Sequence, residues 1–222
     1  MVINDIILKH YLQNVCFING TSYAGKSTMA AMLAEKYGLV HCGENYHHET
    51  ASRLVTPDQY PNLCYFQTMK DWQEFVNRSP EEYERWIFAT AREIVEFEVA
   101  ELIHISRNQK VIVDTNIPVD VLKRIAGYNQ VAIMLSPQSM SIERFFDRTD
   151  ADKQFILAQI QQSEDPDKTL RNYREGLARI HSQEHYDELA NSGFFTIVRE
   201  NKEADTRLGI MDRLARHFGF EA

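Results

Sequence analysis

Cysteine is scarce in this sequence. Cys16, Cys42 and Cys64 are the three among 222 residues, and no C-x-x-C pair occurs. That excludes a disulfide framework and fits a reducing compartment; Cys16 and Cys42 lie in apolar runs and read as buried free thiols. Basic charge is also short: 24 Lys and Arg stand against 32 Asp and Glu, for a net charge of −8. This balance speaks against a general binder of nucleic-acid polymers or anionic membranes, and leaves room only for a local basic cleft. No apolar run approaches the roughly 20 residues of a membrane span. The opening "MVINDIILKHYL" carries Asp5 inside a short apolar run, so neither a signal peptide nor a span is expected and a cytoplasmic protein is. Repeats, low-complexity tracts and Pro/Gly/Ser-rich linkers are missing too.

What is present is the material of a globular core, with 44% hydrophobic and 25% charged residues. Short apolar runs predict buried strands at 14–19 ("NVCFIN"), 39–42 ("LVHC"), 110–115 ("KVIVDT"), 130–135 ("QVAIML") and 194–198 ("FFTIV"). Helical periodicity predicts helices over 25–38, 79–106, 169–193 and 203–219. Ser79 is the expected N-cap of the second, followed by Pro80 and acids, and Gly38 and Gly193 are expected stops. Strands alternating with helices predict an α/β fold with a five-stranded parallel sheet covered on both faces, a three-layer arrangement. Two connections, 43–109 and 136–192, exceed a simple crossover. They predict one domain, 1–222, with a helical insertion at 44–109 and a lid at 149–168, both at the substrate end of the sheet.

The stretch "INGTSYAGKST" contains Gly20-x-x-x-x-Gly25-Lys26-Ser27 between a strand and a helix, the context of a phosphate loop. Gly20, Thr21, Ser22, Tyr23, Ala24 and Gly25 would wrap a triphosphate in backbone N–H groups, with Lys26, Ser27 and Thr28 opening the helix. Lys26 would reach the β- and γ-phosphates and the Ser27 hydroxyl would ligate Mg²⁺. A chance match in a chain of this length is a matter of roughly one in a hundred. Asp114 ends the strand "VIVDT", where a carboxylate can hold Mg²⁺ through water; a simple turn cap is the bland alternative.

Further along, "ERFFDRTD" places Arg144 and Arg148 one helical turn apart, and "LRNYREGLARIHSQEHYDELANSG" carries Arg171, Tyr173, Arg174, Tyr186 and Gly193. Together with the phosphate loop this order resembles the small-molecule P-loop kinases, the nucleoside monophosphate kinase and shikimate-kinase-like (adenylate-kinase-like) family. The resemblance implies ATP and Mg²⁺ as cofactors and a small-molecule phosphate acceptor. It implies Arg144 near the adenine, and Arg148 and Arg171 clamping the transferring phosphate. The lid departs from the family, with five acids and two lysines between Thr149 and Lys168 where the family is rich in arginine.

On the acceptor side Glu44 stands two residues beyond Cys42, placed to take a proton from an acceptor hydroxyl. A monophosphate acceptor would instead call on Arg53, Arg85 and Arg92. The aromatics Tyr46, Tyr60, Tyr65, Phe66, Trp72, Phe75 and Trp86 either stack on a ring or, more commonly, build the insertion's own core. His47 and His48 in "ENYHHE" read as surface histidines rather than metal ligands. His181 and His185 share a helix face but lack the glutamate of a zinc-protease motif. The alternative function is a partner-regulated P-loop switch or nucleotide-binding module. "NKEAD" at 201–205 has Ala204 where guanine selection needs an aspartate, which does not support it.

Overall fold

The structure is a computed structural model that describes residues 3–143, 145–147, 151–199 and 206–220. Five strands form one sheet: β1 (Val15–Gly20), β2 (Val40–Cys42), β3 (Val111–Asp114), β4 (Val131–Leu135) and β5 (Phe195–Val198). All neighbours are parallel, in the order β2-β3-β1-β4-β5. Each predicted strand is present: β1 is shifted by one residue, and the others are trimmed by a residue at one or both ends. The alternation along the strands explains why both faces are apolar. Val15, Phe17, Val111, Val113, Val131 and Ile133 enter one core, while Ile18, Ile112, Ala132, Met134 and Ile197 enter the other. A fully buried side chain of this size contributes about 1.5–3 kcal/mol, so the sheet sandwich dominates the stability.

The first face is covered by α1 (Asp5–Tyr11), α6 (Pro80–Ile105), α7 (Val119–Ile125) and α11 (Gln183–Ala190). The second is covered by α2 (Lys26–Tyr37) and α12 (Arg207–Phe218). Between β2 and β3 run α3 (His48–Leu54), α4 (Tyr65–Thr68) and α5 (Trp72–Val76), followed by α6. After β4 come α8 (Gln138–Glu143), α9 (Ala151–Gln161) and α10 (Pro166–Ile180).

Helix α6 starts where its sequence predicts. The Ser79 hydroxyl accepts from the Glu82 N–H at 3.2 Å, and the Glu82 carboxylate accepts from the Ser79 N–H at 2.9 Å. Its 26 residues carry it from the insertion to the sheet. Tyr83, Trp86 and Ile87 pack in a third core, while Val95, Val99, Leu102 and Ile103 pack on the sheet. That third core joins the two long connections: Phe75 and Val76 from α5 meet Ile156 and Ile160 from α9 and Tyr173 and Leu177 from α10. The helices between β2 and β3 and the helices α9 and α10 after β4 therefore form one helical body, in which Tyr65, Trp72, Phe75 and Trp86 are core side chains.

Two expectations are corrected. The helix predicted over 169–193 is two helices, α10 and α11, because Ser182 acts as an N-cap: its hydroxyl accepts from the His185 N–H at 3.4 Å. His181 and His185 thus lie on either side of a helix break. His47 is not a surface residue; it is 4% exposed, packed beneath α6.

Candidate phosphate and acceptor cleft

The carboxyl ends of the parallel strands surround a cavity of about 1230 Å³, and the helical body forms its far wall. At its floor β1 runs out into the phosphate loop. Gly20 has φ 138°, and a Cβ there would lie 1.8 Å from the Met134 carbonyl oxygen on β4, so only glycine lets the strands stay paired at that point. Tyr23 and Gly25 both have positive φ, 65° and 91°, which curls the loop so that successive N–H groups face a common centre. Helix α2 begins at Lys26 and adds its N-terminal dipole.

The loop is held from behind by groups the sequence did not single out. The Thr21 N–H donates to the Met134 carbonyl at 3.0 Å, and the Ser136 N–H donates to Thr21 Oγ1 at 2.8 Å. Ser136 Oγ donates to the Ser22 carbonyl at 2.6 Å, Ser141 Oγ to the same oxygen at 3.1 Å, and Arg199 Nη1 to the Tyr23 carbonyl at 2.6 Å. The one available signal was position: Ser136 follows β4 directly, and Arg199 follows β5.

Ser27 Oγ donates to Asp114 Oδ2 at 2.5 Å, and Lys26 Nζ stands 3.9 Å from Asp114 Oδ1. Asp114 is fully buried, and its Oδ1 accepts no hydrogen bond from a described residue. Burial pushes its carboxyl above the usual range, against the opposing pull of Lys26 and the Ser27 bond. A hydroxyl and a carboxylate with spare oxygen capacity form a hard oxygen donor set, which fits Mg²⁺.

Across the cleft Glu44 lies at the mouth, with Asn116 Nδ2 donating to its Oε1 at 2.5 Å. Beyond it is a carboxylate that sequence reasoning missed. Glu98, in the middle of α6, is 2% exposed, and Thr115 Oγ1 donates to its Oε1 at 2.9 Å. Thr115 in turn accepts from the Ile117 N–H at 3.0 Å, so the segment leaving β3 fixes both acids. Burial lifts the Glu98 carboxyl to about 7, with Glu44 and Asp114 adding to the rise. His47 Nδ1 sits 3.8 Å from Glu98 Oε1, and burial, with His48, holds this imidazole down at about 4. His181 also lines the cleft; burial first, then Lys26, keeps its imidazole neutral down to about 4.

The arginines are distributed differently from expectation. Arg92 reaches the cleft but is paired with Asp120 at 2.7 Å. Arg53 pairs with Glu49 at 2.5 Å on the surface, and Arg85 lines a separate shallow pocket beside Arg78. Arg171 and Arg174 are exposed on α10 and are not among the residues that line the cleft. Arg144, Arg148, lid residues 149 and 150, and the 201–205 segment lie outside the described residues. Among the described residues, no group of three His, Cys, Asp or Glu is placed to hold a metal on its own. Likewise, no helix among them is long and apolar enough to cross a membrane.

A Gly20–Ser27 phosphate loop, a strand-end Asp114 bonded to its serine, and a parallel sheet ordered β2-β3-β1-β4-β5 define a P-loop α/β fold. Among solved structures, the chain is similar to that of a shikimate kinase from Acinetobacter baumannii in complex with shikimate. The identity is 18%, the TM-score is 0.47, and 96% of this chain and 98% of that one are covered. No protein-family model matches the chain, and no curated protein matches it in sequence.

Proposed function

We propose that the protein is a kinase that transfers the γ-phosphoryl group of ATP to a hydroxyl of a small molecule. The observation that carries this reading is that Lys26 and Ser27, backed by the buried Asp114, open onto the same cleft as Glu44, with the helical body as its far wall. A GTPase-like switch needs no second, acid-lined half to its nucleotide site.

In this reading the loop N–H groups and the α2 terminus bind the triphosphate, and Lys26 bridges its β- and γ-oxygens. Ser27 and Asp114 would hold Mg²⁺, which when bound neutralises charge on those oxygens. The acceptor oxygen bonds to the γ-phosphorus as the bond to the β–γ bridging oxygen breaks; Glu44 takes the hydroxyl proton and ADP leaves. Asn116 orients Glu44 for that role through its 2.5 Å hydrogen bond. By the family resemblance Arg144 belongs beside the adenine, and Arg148 and Arg171 to the phosphate clamp. Arg171 is exposed on α10 and is not among the residues that line the cleft, and Arg148 lies outside the described residues.

The test is ATP turnover with and without a panel of nucleosides, nucleotides and hydroxylated metabolites. Low basal hydrolysis, strong stimulation by one class and a phosphorylated small product are expected. Lys26→Ala should abolish transfer, a loss of about 10²-fold or more, with an unchanged circular dichroism spectrum. Hydrolysis that depends on a protein partner and yields no phosphorylated small product would overturn the proposal.

A further inference from the structure

We infer, resting on the kinase reading for which end of the cleft is the acceptor's, that the acceptor carries no phosphate or carboxylate. It is a polyol or an amino alcohol whose O–H and N–H groups are received by Glu44, Glu98 and His47. Anionic acceptors are recognised by arginines or lysines free to fork onto their oxygens. Among the described residues lining the cleft, the lysines and arginines are Lys26, Arg92 and Lys153. Lys26 belongs to the phosphate loop. Arg92 arrives with its own counter-ion, Asp120, at 2.7 Å. Lys153 lies over the Phe145 ring, 5.2 Å from its centre.

The acceptor half is instead acidic, with Glu44, Glu98 and Glu188 in its wall. A phosphate placed there would meet the carboxylates of Glu44 and Glu188 as like charge in a partly desolvated site. The same wall holds polar atoms that the described residues leave unsatisfied. His47 is 4% exposed, and its Nδ1 has no hydrogen-bond partner among the described residues. Thr90 Oγ1, about two turns from Glu98 on α6, is buried and also lacks one among the described residues. Buried polar atoms are nearly always bonded, so such orphans at a cavity wall mark where a ligand's polar groups complete the set. Glu98 accepts from Thr115 and has lone pairs to spare, since a carboxylate offers about four acceptor positions. Hydroxyl and ammonium donors satisfy these groups; a second phosphate does not.

The experiment is calorimetric titration of the chain loaded with Mg²⁺ and a non-hydrolysable ATP analogue, run beside product detection with ATP. Three probe sets of similar size are compared: neutral sugars and nucleosides, amino sugars and amino alcohols, and nucleoside monophosphates with hydroxy acids. Binding and phosphorylation are expected only in the first two sets. Glu98→Gln, which keeps the shape and the Thr115 bond, should weaken acceptor binding about tenfold or more. Glu44→Gln, at the exposed mouth, provides the same readout without touching a buried position. Donor-rich probes that bind and lose affinity in both variants, yet yield no product, would leave the acceptor chemistry standing and remove the kinase reading. The inference is overturned if a monophosphate or hydroxy acid binds best. It is equally overturned if no neutral or cationic probe binds, or if both variants bind the probes as the wild type does.

Discussion

Gly20 sits where the phosphate loop leaves the sheet, and its φ of 138° is combined with a carbonyl only 1.8 Å from where a Cβ would be. Side-chain motion cannot relieve that contact, because the obstacle is the Met134 backbone in the neighbouring strand. Gly20→Ala is therefore expected to cost about 4 kcal/mol or more, enough to unfold a domain of ordinary stability. Gly25, with φ 91° but open space around its Cβ position, should lose far less on the same change, of the order of 1 kcal/mol. Urea unfolding of the two variants separates a steric wall from mere backbone preference; equal losses would contradict this account. Residues such as these were legible in the sequence because the loop is contiguous and its spacing is unusual. Asp114 was legible because a charge at the end of an all-apolar strand has few other reasons to be there. Glu98 was not, since "IVEFEVAELI" offers several acids at helical spacing and only the tertiary fold decides which one turns inward. His47 failed for the same reason: a polar residue in a loop reads as solvated until a helix is laid over it.

Helices were read well where local chemistry marked their ends and poorly where it competed. The Ser79–Pro80–Glu82 start and the left-handed Gly38 stop of α2 lie within a residue of expectation. At Ser182 the periodic apolar pattern ran on through a cap residue, and the break between α10 and α11 was hidden in a continuous pattern. How α10 meets α6 was beyond any pattern. Gly176 on α10 faces Tyr83 so closely that a Cβ would be 2.9 Å from the ring's Cδ1. Tyr83 has nowhere to retreat, being buried and bonded through its hydroxyl to the Tyr173 hydroxyl at 3.0 Å. Gly176→Ala gains about 1 kcal/mol of helix propensity and loses about 1–3 kcal/mol to overpacking. Against a pinned ring the loss wins, and we expect a net destabilisation of about 1–2 kcal/mol in urea unfolding. A stabilised variant would mean that the two helices separate more readily than their packing implies.

For the molecule as a whole, three cores share one load, and α6 ties the sheet to the helical body. The sheet, its two covered faces and its order of elements were readable from apolar runs alone, because a parallel strand buried on both faces leaves an uninterrupted signature. That the two long connections meet in a common core was not readable, since it depends on contacts between segments about 80 residues apart in the chain, as in Gln73 Nε2 donating to the Gln159 carbonyl at 3.0 Å. The buried acid at the junction gives this assembly a pH signature. Glu98 titrates near 7 in the folded chain, well above an exposed glutamate, so between roughly 4.5 and 7 the folded state binds more protons than the unfolded one. Its contribution therefore grows more favourable as pH falls through that window, and its burial cost is fully present above it. His47 acts in the opposite sense: its folded value of about 4 lies below the unfolded one near 6.5, so stability is lost as pH falls between them. The two trends oppose each other over most of their range, and wild-type stability alone would conceal both. Glu98→Gln separates them: His181 and His217 lie apart from the substituted group, and His47, 3.8 Å from Glu98 Oε1, titrates in the fold at about 4, below the window compared. The stability of the variant minus that of the wild type should rise from pH 4.5 to about pH 7 and then level off, with a total change of up to about 3 kcal/mol. Urea unfolding of both proteins at pH 5 and pH 8, without nucleotide or Mg²⁺, measures this difference. A gap that is the same at both pH values would show that Glu98 is ionised in the fold at no cost, and that the junction between sheet and helical body is wetter than its burial indicates.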